Sequence, residues 1–192
     1  MHFKSFPTGS RREKGFNLIE NLVTLLVLTV GLLGIAGMQA VAIQTQQTGH
    51  HYGRATSLAQ NMAERMRANF EAAEAGDYAV PNTGSVVENS KCFTTEGCSP
   101  QQMAETDINE WHQMVERTLP QGDSHICRDS TPSQDPADYI GEVADIRSTC
   151  DDTGDTYVIH VFWDMDPTRD GNVELTADPQ TTDGHLILVF EP

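Results

Sequence analysis

One stretch of this chain restricts its folding more than any other. Phe16 to Ile43 reads FNLIENLVTLLVLTVGLLGIAGMQAVAI and carries a single charge, Glu20. A helix of about 20 apolar residues crosses a bilayer core, so the run is long enough to span one. Lys4, Arg11, Arg12 and Lys14 precede it with only Glu13 in opposition, a net of +3. A basic flank on that side predicts an N-inside, C-outside orientation. The whole chain carries −16, so the part after residue 15 carries −19. That acidic bulk is therefore expected in the periplasm or outside the cell. It leaves no electrostatic footprint for nucleic acid. Apolar residues at 38% and charged residues at 21% suit a folded domain. At 192 residues there is room for one ordinary domain plus an appendage.

Three readings fit the apolar run. It is a secretory signal cut near Ala40-Val41-Ala42, a plain membrane anchor, or a segment cut before the apolar run rather than after it. Glu20 separates them. A carboxylate in hydrocarbon costs at least about 2.5–3.5 kcal/mol. Signals and simple anchors gain nothing from that cost. A buried acid is tolerable when an assembled state supplies a neutralising partner, or when it snorkels to the interface.

Gly15-Phe16-Asn17-Leu18-Ile19-Glu20, behind its basic leader, resembles the type IV prepilin signature. Asn17 departs from the Thr or Ser usual at its position, a site that tolerates polar residues. The resemblance implies cleavage by prepilin peptidase between Gly15 and Phe16 and methylation of the new Phe16 amine. It also implies that Glu20 meets the terminal amine of a neighbouring subunit. Opposite charges buried together cost less than either buried alone.

The apolar run continues without a turn signal into QTQQTGHHYGRATSLAQNMAERMRANFEAAEAG. There Ala55, Leu58, Ala59, Met62, Met66 and Phe70 recur at helical spacing. Gly76 is the expected stop. A helix from Phe16 to about Ala75 would be about 90 Å long, so its distal half must pack on a globular head. Gly31, Gly34 and Gly37 each cost about 1 kcal/mol in a helix. They suit close helix packing in a membrane, or unwinding on transfer to a filament, as the resemblance implies. Gly49 and Gly53 mark a second soft point. His50 and His51 diverge around the helix and do not share a metal.

The head is expected to be α+β, with the long helix packed on a C-terminal antiparallel sheet and one extra amphipathic helix. Cys92, Cys98, Cys127 and Cys150 are an even set in an exported domain, which suggests disulfides. Four cysteines allow three connectivities. Pairing Cys92–Cys98 and Cys127–Cys150 closes the shortest loops. No C-x-x-C or H-x-x-x-H pair accompanies them, which disfavours zinc. Ser99-Pro100 reads as an N-cap and first helical residue. Met103, Ala104, Ile108, Trp111, Val115 and Leu119 then trace one stripe. Strands are expected at 157–163 and 186–190, with a third at 140–147. Asp166, Thr168, Asp170 and Gly171 match the first half of a calcium loop, so Asp166 and Asp170 are the calcium candidates. Ala177 stands where the bidentate Glu is needed and Arg169 adds a positive charge, which favours an acidic hairpin loop over a metal site. No cofactor is expected.

Several segments together resemble the PilV-type minor pilins, or type IV pilus modification proteins. They are 31–39, Leu58 to Asn69, Gly76-Asp77-Tyr78, Cys98 to Ala104, Asp107 to Trp111, and Leu119-Pro120. The resemblance implies a prepilin leader at 1–15 and a long helix at 16–75, transmembrane over about 16–43. A periplasmic head follows at 76–192. The expected partners are other minor pilins, the major pilin, prepilin peptidase, the inner membrane and a tip adhesin. Arg65 and Arg67 either contact those partners or pair within the acidic head. No nucleophile elbow, Walker loop or dinucleotide fingerprint is present. The expected function is therefore assembly, in a pilus or in the pseudopilus of type II secretion or DNA uptake. An exported ion-binding or enzymatic domain on an N-terminal anchor is the more distant reading.

Overall fold

The structure is a computed structural model that describes residues 18–80, 83–133, 138–139, 141–147, 149–165, 173–175 and 183–192. In chain order the elements are α1 (Leu18–Ala68), α2 (Phe70–Ala75), two 3-10 turns (Thr83–Ser85 and Ser90–Phe93) and α3 (Pro100–Thr118). Then come β1 (Asp123–Arg128), β2 (Gly141–Glu142), α4 (Val143–Arg147), β3 (Tyr157–Trp163), β4 (Glu174–Leu175) and β5 (Gly184–Phe190). This is the expected α+β architecture, a long N-terminal helix with a C-terminal antiparallel three-stranded sheet, and it is consistent with a pilin-like fold. The chain divides into two compact units, Met1–Thr45 and Gln46–Pro192, with α1 passing from one into the other.

In the second unit, helical spacing and burial agree. Ala55, Leu58, Ala59, Met62, Ala63 and Met66 are all buried along one face of α1. They share a core with Ala104, Ile108, Trp111, Val115 and Leu119 of the α3 stripe. Met103 is 38% exposed and lies at the edge of that stripe. Trp111 is fully buried and its indole N–H donates to the Leu58 carbonyl at 2.9 Å, joining the two helices. Ser99 caps α3 as a complete capping box. Its side chain accepts from the Gln102 N–H, and the Ser99 N–H donates to the Gln102 side chain.

The long helix does not run unbroken to Ala75. It is interrupted at Asn69, whose φ of −114° and ψ of 56° leave the helical region. The cause is tertiary: the Asn69 amide donates to the Pro100 carbonyl at 2.8 Å and to the Tyr78 hydroxyl at 3.1 Å. Asn69 N–H still reaches Arg65 O, and Ala73 N–H reaches Asn69 O, so the break is a kink. One consequence is that Phe70 leaves the buried stripe and is 49% exposed. Gly76 ends α2 at φ 88°, where Gly76 N–H reaches Ala73 O and Asp77 N–H reaches Ala72 O. That left-handed stop favours glycine.

The sheet has the order β1-β3-β5, antiparallel throughout. β3 and β5 pair as expected, Tyr157 opposite Phe190 and Trp163 opposite Gly184. At Gly184 an added Cβ would lie 1.8 Å from the Trp163 ring, so the indole occupies the place of a side chain. The third strand is not 140–147. Gly141–Glu142 pair with Glu174–Leu175 in a separate two-stranded ladder, and Val143–Arg147 turn into α4. The third place belongs to β1, whose Asp123–Arg128 pair with Phe162–Tyr157. Cys92 is bonded to Cys98, and Cys127 to Cys150.

Candidate functional site

The first unit exposes an unusual surface. From Leu18 to Ile43 every residue of α1 is exposed, including Leu22, Leu25, Leu26, Leu28, Leu32 and Leu33. This helix is long and apolar enough to cross a membrane. Its hydroxyls are satisfied internally. Thr24 donates to Glu20 O at 2.7 Å, Thr29 to Leu26 O at 2.8 Å and Thr45 to Val41 O at 3.1 Å. A helix whose hydroxyls bond its own carbonyls leaves them paired in a medium without water.

Glu20 stands in the first turn of α1, where the helix dipole favours a carboxylate. It makes no ion pair with any described residue. A Cβ added at Gly31, Gly34 or Gly37 would meet open space, so nothing among the described residues requires these glycines. Among its described residues the first unit thus combines an exposed apolar surface, an acid without an ion pair and small residues without packing neighbours. Gly15 and Phe16 lie outside the described residues, as do Asp166 and Asp170 of the calcium candidate.

In the second unit the charged residues of α1 serve the head itself. Arg65 bridges Asp107 and Glu110 of α3 at 2.8 Å each. Asp107 also accepts from the Tyr78 hydroxyl at 2.8 Å. Burial, reinforced by that bond to Asp107, raises the Tyr78 pKa and keeps the phenol protonated. Arg67 pairs with Glu64 at 2.6 Å and lies over the Phe190 ring at 4.9 Å. Of the two roles open to these arginines, the structure shows the intramolecular one. Arg54 donates to the Thr118 carbonyl at the end of α3.

Histidines line the sheet face that turns away from the helices. His125, His160 and His185 come from β1, β3 and β5, with His125 directly opposite His160. Their rings are 6.0 Å apart from His125 to His160 and 5.2 Å apart from His160 to His185. Tyr139, Ile146, Phe162 and Val173 pack as a second small core on that face. Burial pushes His125 and His185 down to about 4 and holds His160 well below the usual histidine range. All three are neutral at pH 7. Only His160 stands out in the sequence, as one polar residue in an apolar strand. The row depends on a register that no local pattern reveals.

One hydroxyl–imidazole–carboxylate array also occurs. His112 Nδ1 lies 2.8 Å from Ser124 Oγ, and His112 Nε2 lies 3.6 Å from Glu116. Ser124 has 0% exposure, and Thr83 donates to the Ser124 carbonyl. A hydroxyl without accessible surface cannot attack a substrate, so this array ties the segment holding Thr83 to α3 and β1.

Residues 37–109 match the family model described as Tt1218-like, Type IV pilin Tt1218. No curated protein and no solved structure matches the chain. The match runs from the apolar half of α1 to the middle of α3 and does not include Glu20. The match covers less than half of the chain and likens that part to a type IV pilin.

Proposed function

We propose that this protein is a minor pilin of the PilV type, a subunit that takes part in priming type IV pilus assembly. The observation that carries the reading is Glu20, the one charge in the exposed, largely apolar 18–43 stretch of α1, placed in the helix's first turn. The type IV pilin match over 37–109 supports it from the other side of α1.

In this reading the chain is stored in the inner membrane with its acidic head in the periplasm. Prepilin peptidase cuts between Gly15 and Phe16 and methylates the Phe16 amine. Extraction moves the 16–43 surface from lipid to the apolar helices of neighbouring subunits. Helix packing and continued exclusion of water, at about 25 cal/mol per Å² of apolar surface kept dry, hold the bundle together. Glu20 sets the axial register by meeting the amine of the next subunit, since a buried carboxylate is tolerated only when paired. Neighbours are the other minor pilins and the major pilin, with a tip adhesin beyond them. A pseudopilin of type II secretion would use the same physics in another machine.

Glu20→Ala tests the role of the acid. Processing should stay nearly intact while incorporation into sheared filaments falls at least about tenfold, consistent with the cost of an unpaired buried amine. Normal piliation in that variant would contradict the role. A deletion strain scored for surface pili, twitching and secretion separates the two machines: loss of pili with normal secretion supports the pilus.

A further inference from the structure

On the outer face of the sheet, His125 and Cys127 are two apart on β1 and project to the same side. The loop before β3 brings Cys150 to meet them. One ring nitrogen of His125 and the sulfurs of Cys127 and Cys150 all lie within 4.8 Å of one another. His125 is 2% exposed, and neither of its ring nitrogens has a hydrogen-bond partner among the described residues. The Arg147 backbone approaches the ring without completing a hydrogen bond. A buried imidazole without a partner at either nitrogen is costly unless something occupies the site in another state.

We propose that His125, Cys127 and Cys150 form a binding site for a thiophilic divalent cation of the zinc class, closed by the Cys127–Cys150 disulfide and opened by its reduction. Two thiolates and one neutral imidazole are the ligand set of known three-ligand zinc sites, with water in the fourth position. The two thiolates cancel the cation's charge, which an apolar face requires. Cys150 is partly exposed and gives the cation and its water an entry path. The Cα atoms of the two cysteines are 6.2 Å apart.

The chemistry balances. A dithiol reductant gives two electrons and two protons to the Cys127–Cys150 bond and closes its own disulfide. Cation binding then releases both thiol protons to solvent. Oxidation and metal occupancy are therefore mutually exclusive, and a newly exported chain holding the cation is delayed in closing this disulfide. The inference is independent of the filament reading.

The test uses the full chain in detergent, with Cys92→Ser and Cys98→Ser removing the other pair. The protein is reduced with a phosphine, desalted without air and titrated with cobalt(II). The expected result is one cobalt per chain, with a thiolate-to-cobalt charge-transfer band, tetrahedral visible bands and release of two protons. The oxidised protein should show none of these, and His125→Asn should weaken binding roughly tenfold or more. If His125→Asn does not fold, the His125 resonance of the parent must shift when zinc is added. Cobalt bound equally by the oxidised chain, no cobalt bound by the reduced chain, or binding unmoved by His125→Asn would each overturn the site. An unshifted His125 resonance would do the same.

Discussion

At the scale of single residues, buried imidazoles with at least one ring nitrogen unpaired among the described residues are the recurring theme, and they make stability depend on acidity. His125, His160 and His185 are neutral in the fold because desolvation lowers their pKa values. In the unfolded chain histidine titrates near 6.5. The unfolded state therefore binds more protons below that value, and stability rises with pH through the window. The contribution is complete above about pH 6.5 and is lost as pH falls toward about 4. The urea midpoint of the oxidised full chain should fall between pH 7.5 and pH 5. In His185→Phe, which keeps the 4.6 Å stack on Phe162, the fall should be smaller. A midpoint that does not move with pH would remove the row from the stability account. His160 is visible in the sequence as an oddity, but its neighbours are not. They become neighbours only through the pairing of β1 with β3 and of β3 with β5.

At the scale of elements, local chemistry fixes some boundaries and tertiary bonds fix others. α3 belongs to the first kind, since Ser99-Pro100 and Gln102 supply its start without outside help. Ser99→Ala should cost about 1 kcal/mol in chemical unfolding, with the α3 core contacts otherwise retained. A change near zero would mean the cap adds nothing to the packed stripe. For the same reason α3 and its stripe are legible from spacing alone. β1 is not legible in that way. Its residues DSHICR hold two apolar side chains; of its buried polar members, Ser124 is held by its hydrogen bond to His112 and His125 is placed by register rather than by pattern. The segment 140–147 looks more strand-like but supplies only a two-residue ladder and a short helix. Asn69 belongs to the second kind as well. Nothing in RANFE marks a kink, which exists because Pro100 and Tyr78 take the Asn69 amide.

At the scale of the whole molecule, the two units obey different solvents. Among the described residues every buried hydrophobic residue of the core lies at or beyond Ala55, while 18–43 is exposed throughout and largely apolar, with Glu20 its one charge. A chain starting at Gln46 should therefore remain soluble without detergent and unfold cooperatively with both disulfides closed. Aggregation of that chain at low concentration would mean the head depends on the apolar segment. The contrast between the units was readable at once, because composition alone separates an apolar rod from an acidic head. The purpose of the rod is a question about its first residues. Purified from envelopes, the mature protein should have a mass and an N-terminal sequence that begin at methylated Phe16. A chain that begins after Ala42, or one that retains residues 1–15 within an assembled filament, would contradict the account.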